Sequence, residues 1–300
     1  MVVDGVAAAA AAAPATTEID VEEARAAYAL MNSLATSAPQ VPIRMVSLDG
    51  TIPVRVYEPE GADPGGAVLV WYHGGGWTIG DLESGDQVCR HLATLAGIVV
   101  ANVDYRLAPE HPFPAAVDDA VGAYAAIRGG ALGPHPSAVA VGGDSAGGNL
   151  AAVVSLAARD RGLPVPDAQL LVYPVIDGSQ EWPSMEENAE GLLLTRDTMR
   201  WFFTTYTGSD DTLRRDPLVS PLLAPSHAGL PPAHIVTAEY DPLRDEGEAY
   251  RAALAAAGAE VTGRCYPGQV HTFFCIPDIF GPTAMEAVRE AAAELRARLT

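Results

Sequence analysis

Four places along the chain hold residue types that could act together on a reactive bond. The first is Gly143-Asp144-Ser145-Ala146-Gly147, a G-x-S-x-G pentapeptide. The apolar run Ala138–Val141 precedes it and a helix-forming run from Asn149 to Arg161 follows. A serine in a tight strand-to-helix turn projects its hydroxyl at the helix N-terminus, and flanking glycines relieve the crowding. The pentapeptide alone carries little weight, because Gly, Ser and Ala are common residues; the strand before and helix after give it meaning. A phosphate loop is the competing reading, but G-x-x-x-x-G-K-[ST] needs a lysine, which the chain lacks, and no G-x-G-x-x-G stands at this junction.

The second stretch is His73-Gly74-Gly75-Gly76-Trp77, directly after the apolar run Ala67–Tyr72. Consecutive glycines let a backbone approach a ligand and aim N–H groups at an oxygen that gains negative charge. The N–H of Ala146, after the serine, would join them. A bare glycine turn is the plainer reading, and it loses ground because the two motifs occur together.

A serine nucleophile needs a base and a group to orient that base, in the order Ser, acid, His on a fold of this type. The later histidines are His227, His234 and His271. His227 sits in a Pro-rich loop, and His234 opens an apolar strand ahead of the best acid. His271 follows the run Val261–Tyr266 and the turn Pro267-Gly268, on a loop, where functional residues concentrate. For the acid, Asp241 follows the strand His234–Ala238 and precedes Pro242 and a helix. It could equally be a helix N-cap. Asp245 ranks a distant second, since it and Glu246 fall inside that helix. Ser145, Asp241 and His271 would all lie just past the C-terminal ends of separate strands, where open α/β sheets hold their sites.

The elements that must position these residues alternate. Strands Ile43–Leu48 and Ile52–Tyr57 flank the turn Asp49-Gly50. Apolar runs at Ala67–Tyr72, Ile98–Val103, Ala138–Val141, Leu170–Tyr173, His234–Ala238 and Val261–Tyr266 then alternate with helical stretches at Asp86–Ala96, Ala115–Arg128, Asn149–Arg161, Thr195–Tyr206, Leu243–Ala257 and Thr283–Leu299. Continuous apolar strands between helices predict an α/β fold: a mostly parallel sheet of about eight strands, covered on both faces. Apolar residues at helical spacing from Asp20 to Ser37 predict an amphipathic N-terminal helix. About sixty residues between Tyr173 and His234 exceed one crossover. They predict an insertion at 179–215 that joins N-terminal helices within 1–45 as a helical cap, with the catalytic layer divided into 46–178 and 216–300. Trp77, Trp201, Phe202 and Tyr206 could line an apolar substrate pocket or pack inside that cap.

Composition narrows the partners. With 49% hydrophobic and 19% charged residues the 300-residue chain can bury a large core, which excludes wholesale disorder. Its net charge is −20, which disfavours nucleic acid and anionic membrane surfaces as partners. Cys89, Cys265 and Cys275 are odd in number and widely spaced, which argues against a disulfide framework and a cysteine zinc site. No apolar run reaches the ~20 residues of a membrane span. The first 18 residues, with the run Ala7 to Ala13, lack periodicity and are expected to fray; no basic segment precedes that run, so the cytoplasm is the expected location. No metal or organic cofactor is expected. An edge strand at Val261–Tyr266 could pair across a two-fold axis in a homodimer.

With these residues located, the chain resembles the bacterial hormone-sensitive-lipase-like carboxylesterases of the α/β-hydrolase superfamily. The resemblance runs through HGGGW at 73–77, DYRLAPEHPFPAAVDDA at 104–120, GGDSAGGNLAA at 142–152, ENAEGLLLT at 187–195, DPLVSPLLAP at 216–225, GLPPAHIVTAEYDPLRDEG at 229–247 and His271, and covers about residues 40 to 300. It implies an α/β-hydrolase fold with a helical cap, Ser145 as nucleophile, His271 as base, Asp241 as orienter, and the N–H groups of Gly75, Gly76 and Ala146 as an oxyanion hole. It implies hydrolysis of short- to medium-chain carboxylic esters through an acyl-enzyme. A lactone, amide or carbamate hydrolase would use the same triad, and plant hormone receptors of this fold bind ligands without catalysis, though their histidine is typically replaced. One position departs from the family: glycine usually follows the histidine, and here Thr272 does. A β-branched residue resists positive φ, so a differently shaped histidine loop is expected.

Overall fold

Alternate residues along the central strands feed two separate apolar cores, and that division organises the molecule. In the computed structural model, which describes residues 20–34 and 37–300, β1 (Ile43–Leu48) and β2 (Ile52–Tyr57) form an antiparallel hairpin around Asp49-Gly50. β2 pairs antiparallel with β4 (Val99–Val103), and from there the sheet is parallel through β3 (Val68–Tyr72), β5 (Val139–Asp144), β6 (Gln169–Val172) and β7 (Ala233–Tyr240). The order is β1-β2-β4-β3-β5-β6-β7, with a short β8 (Val261–Thr262) outside β7. β3, β4, β5 and β6 are buried along their whole length, as strands covered on both faces must be. Val68, Val70 and Tyr72 face the layer that holds α3 (Ala115–Arg128) and α4 (Ala146–Asp160). Leu69 and Trp71 face the layer of α2 (Asp86–Ala96) and α9 (Pro282–Leu299).

The last strand differs from its sequence reading. Val261–Tyr266 is not one strand but two pieces, β8 (Val261–Thr262) and β9 (Cys265–Val270), both parallel to β7. The step between them turns carbonyls away from the ladder, and one side chain takes them: Arg251 donates to the carbonyls of Thr262 and Gly263 at 2.9 Å and of Ile235 at 2.7 Å. The sheet keeps its eighth position, but the break moves the strand end forward to Val270, beside His271.

The N-terminal helix α1 (Val21–Ser33) starts at Asp20, whose side chain accepts the N–H of Glu23 at 2.8 Å. The expected fraying of the first 18 residues, and positions 35 and 36 of the predicted helix, lie outside the described residues. Between β6 and β7 run α5 (Pro183–Glu187) and the aromatic-rich α6 (Arg196–Thr207), capped by Thr195. α7 (Arg244–Ala256) follows β7, and α8 (Pro277–Phe280) precedes α9. None of the helices among the described residues is long and apolar enough to cross a membrane.

Candidate active site

Ser145 stands between β5 and α4 with φ +56°, a left-handed backbone that a non-glycine residue adopts only under constraint. Here the constraint comes from both sides: its N–H donates to Val172 O at 2.9 Å, and its carbonyl accepts from Asn149 and Val175. The turn closes only because its neighbour is small. A Cβ on Gly147 would stand 1.9 Å from Tyr72 O, so α4 could not approach β3 with any other residue there.

Asp241 and His271 come to the same spot from the ends of β7 and β9. His271 Nε2 lies 3.0 Å from Ser145 Oγ, and its Nδ1 lies 2.8 Å from Asp241 Oδ2. With Nδ1–H donating to the carboxylate, Nε2 is left as acceptor for the serine hydroxyl. Asp241 is fully buried, and its other oxygen accepts the Leu243 N–H at 2.9 Å. The aspartate is not the N-cap of α7, a position that Leu243 holds; one of its oxygens closes the turn ahead of the helix and the other faces His271. Tyr173, at φ +33°, packs its ring 4.5 Å from the imidazole. The competing residues sit elsewhere. His227 Nε2 meets Pro221 O, His234 Nδ1 meets Thr262 Oγ1 at the far end of β7, and Asp245 accepts the N–H of Ser184. Glu246 is buried and accepts the Ile176 N–H at 2.6 Å; burial raises its pKa well above the usual carboxylate range.

The glycine loop is tied to the serine turn by a residue whose role sequence reasoning missed. Asp144, buried beside Ser145, accepts the Gly74 N–H at 2.9 Å, and burial lifts its pKa to about 6. The signal was there: a carboxylate inside an apolar strand must find a donor. His73 Nδ1 contacts Gly74 O at 2.7 Å, and Tyr105 stacks on the His73 ring while donating its hydroxyl to His73 O at 2.7 Å. Among the described residues, nothing accepts the N–H groups of Gly75, Gly76 or Ala146.

The four aromatics divide. Trp77 and Tyr206 are completely buried and stacked at 4.3 Å, with Phe203 alongside, so they pack rather than face open space. Phe202 lies directly over the glycine loop; a Cβ on Gly76 would meet its ring at 2.1 Å. Trp201 is half-buried against Phe202. The histidine loop also departs from expectation. Thr272 does adopt positive φ, +78°, so the loop keeps the left-handed turn despite the β-branched side chain. The turn, in which Thr272 O accepts the Cys275 N–H at 3.1 Å, returns Phe273 and Phe274 to the core, and that burial offsets a backbone cost of about 1–2 kcal/mol.

Known proteins are similar to this chain in sequence and fold. The α/β-hydrolase-fold family profile matches residues 69–275. The carboxylic ester hydrolase LipN of Mycobacterium tuberculosis is 45% identical over 89% of this chain and 73% of its own. The carboxylesterase NlhH of the same species is 42% identical over 93% and 90%. A solved thermostable esterase from Pseudomonas putida superposes with a TM-score of 0.92 at 34% identity, covering 100% of this chain and 97% of that one. On sequence and on structure alike, the chain belongs to the hormone-sensitive-lipase-like carboxylesterases of the α/β-hydrolase fold.

Proposed function

We propose that the protein is a serine carboxylesterase acting on small-molecule esters of short to medium chain. The observation that carries this reading is the unbroken line Asp241–His271–Ser145, at 2.8 and 3.0 Å, with the serine held at positive φ. Ser145 Oγ attacks the ester carbonyl while His271 Nε2 takes its proton. Asp241 holds the imidazole in the tautomer that accepts and stabilises the cation that forms. The oxygen that gains charge lies among the N–H groups of Gly75, Gly76 and Ala146. Collapse breaks the bond to the alcohol, which leaves with the proton from His271. Water, deprotonated by the same nitrogen, then releases the acid and restores the serine.

The N-terminal segment (1–45) and the insertion (179–215) are read as a cap over the catalytic layer (46–178 and 216–300), with Phe202 and Trp201 as its substrate-facing aromatics. Two supporting contacts join α6 to that layer: Phe113 N–H donates to Tyr206 O, and Phe202 covers Gly76. Three free cysteines fit a reducing, cytoplasmic setting. The edge at Val261–Tyr266, whose strands pair with β7 alone among the described residues, is the surface for a two-fold homodimer, measurable by light scattering.

The decisive experiment is a time course on p-nitrophenyl esters from acetate to laurate with the wild type and Ser145→Ala. We expect activity peaking at short chains and a loss of roughly six orders of magnitude in kcat in the variant. Residual turnover within tenfold of wild type would remove Ser145 from the chemistry.

A further inference from the structure

The glycine loop follows a path that its own residues allow but do not enforce. Gly75, Gly76 and Trp77 stand in succession at φ +112°, +57° and +56°. Glycine visits both signs of φ about equally, so the two glycines are free to leave this path. Tryptophan keeps such a φ only where its surroundings over-determine it. Part of the constraint is the loop closing on itself. The N–H groups of Thr78 and Ile79 donate to Gly75 O at 3.1 and 2.9 Å, and Thr78 Oγ1 donates to Gly76 O at 3.0 Å. The Gly75 side is full, since a Cβ there would stand 2.2 Å from Ile79 O.

The rest of the constraint comes from α6. Phe202 and Tyr206, four residues apart and so on one face of that helix, meet consecutive residues of the loop. A Cβ on Gly76 would lie 2.1 Å from Phe202 Cγ and 2.2 and 2.5 Å from its two Cδ atoms, so the ring occupies the place of the missing side chain. Tyr206 stacks on Trp77 at 4.3 Å with 8° between the ring planes, and Phe203 closes on the same indole at 5.7 Å. All three α6 rings are buried. The helix is itself fixed. Phe113 N–H donates to Tyr206 O at 2.9 Å, Thr195 Oγ1 accepts the Thr198 N–H at 3.1 Å, and a Cβ on Gly178 would reach the Phe203 ring at 2.5 Å. The two ends of the loop are therefore held by different parts of the chain. Gly74 is bound to Asp144 beside the serine, and Gly76–Trp77 to the insertion between β6 and β7.

We infer that Phe202 is a positioning residue of the oxyanion hole: its ring holds Gly76 in the left-handed conformation that aims the Gly76 N–H at the oxygen gaining charge. The oxyanion belongs to the proposed esterase reading, on which this inference rests. A donor stabilises the transition state only when it is aimed beforehand, and losing one costs about 10²–10³ in kcat. With the ring gone, the Gly76 peptide turns away at little cost, because glycine pays no steric penalty on either side of φ = 0. A ring that only lined the substrate's path would matter more as the acyl chain lengthens. A ring that holds Gly76 matters equally for every chain, since each ester develops the same oxyanion in acylation and again in deacylation.

The test compares the full chain with its Phe202→Ala and Phe202→Leu variants on p-nitrophenyl acetate, butyrate and octanoate. Inhibition by a trifluoromethyl ketone is measured alongside, because its adduct with Ser145 places an oxyanion in the hole. We expect kcat of Phe202→Ala to fall at least about twentyfold on every ester, by a similar factor along the series, with KM within about threefold of wild type. Phe202→Leu should restore part of that loss, and the ketone's Ki should rise by the factor lost from kcat/KM. Lost packing alone would lower Tm and leave these two quantities unlinked. A loss that grows with acyl length, a KM rise at constant kcat, an unmoved Ki, or full kcat in Phe202→Ala would overturn the inference. Should Phe202→Ala fail to fold, Phe202→Leu decides on the same comparison. A wild type inert to every ester, with Ser145 unlabelled by a phosphonate, defeats the esterase reading and this inference with it. A wild type that works through Ser145, beside Phe202 variants at full kcat, defeats this inference alone.

Discussion

The serine turn and the N-terminal helix flank the same glycine loop, yet they are held by different physics. Ser145 is fixed by buried backbone: a forbidden-for-most φ, a carbonyl and N–H both engaged, and a Gly147 position with no room for one methyl. α1 is fixed by polar contacts from one partly exposed arginine, Arg25, to Thr78 O, Ala108 O and Glu110, with a single buried alanine beneath. Close packing has no intermediate states, so the chemical half must be right or absent. Surface-type hydrogen bonds are worth about 1 kcal/mol each net, and so α1 can shift by small steps.

That contrast can be broken from its rigid side first. Asp241→Asn should lower kcat by roughly four orders of magnitude, because the amide cannot hold His271 in the accepting tautomer. Steady-state kinetics on p-nitrophenyl acetate would show it, and near-normal turnover would mean that another group orients the histidine. Gly147→Ala should cost several kcal/mol and lower Tm by roughly 10 °C, or prevent folding outright. The matching change on the adjustable side, Leu30→Ala on exposed α1, should stay within about 0.5 kcal/mol by the same calorimetry. Equal effects at the two positions would erase the distinction. The smallest effect sharpens it: Thr272→Gly should raise Tm by a few degrees, since relief of left-handed strain exceeds the added freedom of the unfolded chain. A fall in Tm would mean that the Thr272 side chain holds contacts worth more than the strain.

The rigid half was also the legible half. Gly143, Ser145 and Gly147 announce a turn because few other residues fit one, and the order Ser, Asp, His follows from the order of the strands. Even the choice of Asp241 over Asp245 followed from which falls before the helix begins. The adjustable half left little trace. Arg25 reaches partners 53 to 85 residues away, and no local period encodes that reach. Trp77 and Tyr206 read as pocket or packing alike until their stacking is seen, because an aromatic residue offers the same apolar area in either setting. The break between β8 and β9 depends on Arg251 of another element accepting the role of a missing strand, which a run of apolar residues cannot reveal. Thr272 shows the converse: a β-branched residue argued against a conformation that burial of the next two phenylalanines imposes.

The divided carboxylate of Asp241 makes one event of two that most proteins keep apart. One oxygen holds the Leu243 N–H in the turn just ahead of α7, and the other faces His271. Loosening of that turn cannot leave the imidazole in line. Activity is thus a built-in sensor of local unwinding at this corner, and gentle denaturation should silence the enzyme before the molecule as a whole has begun to melt.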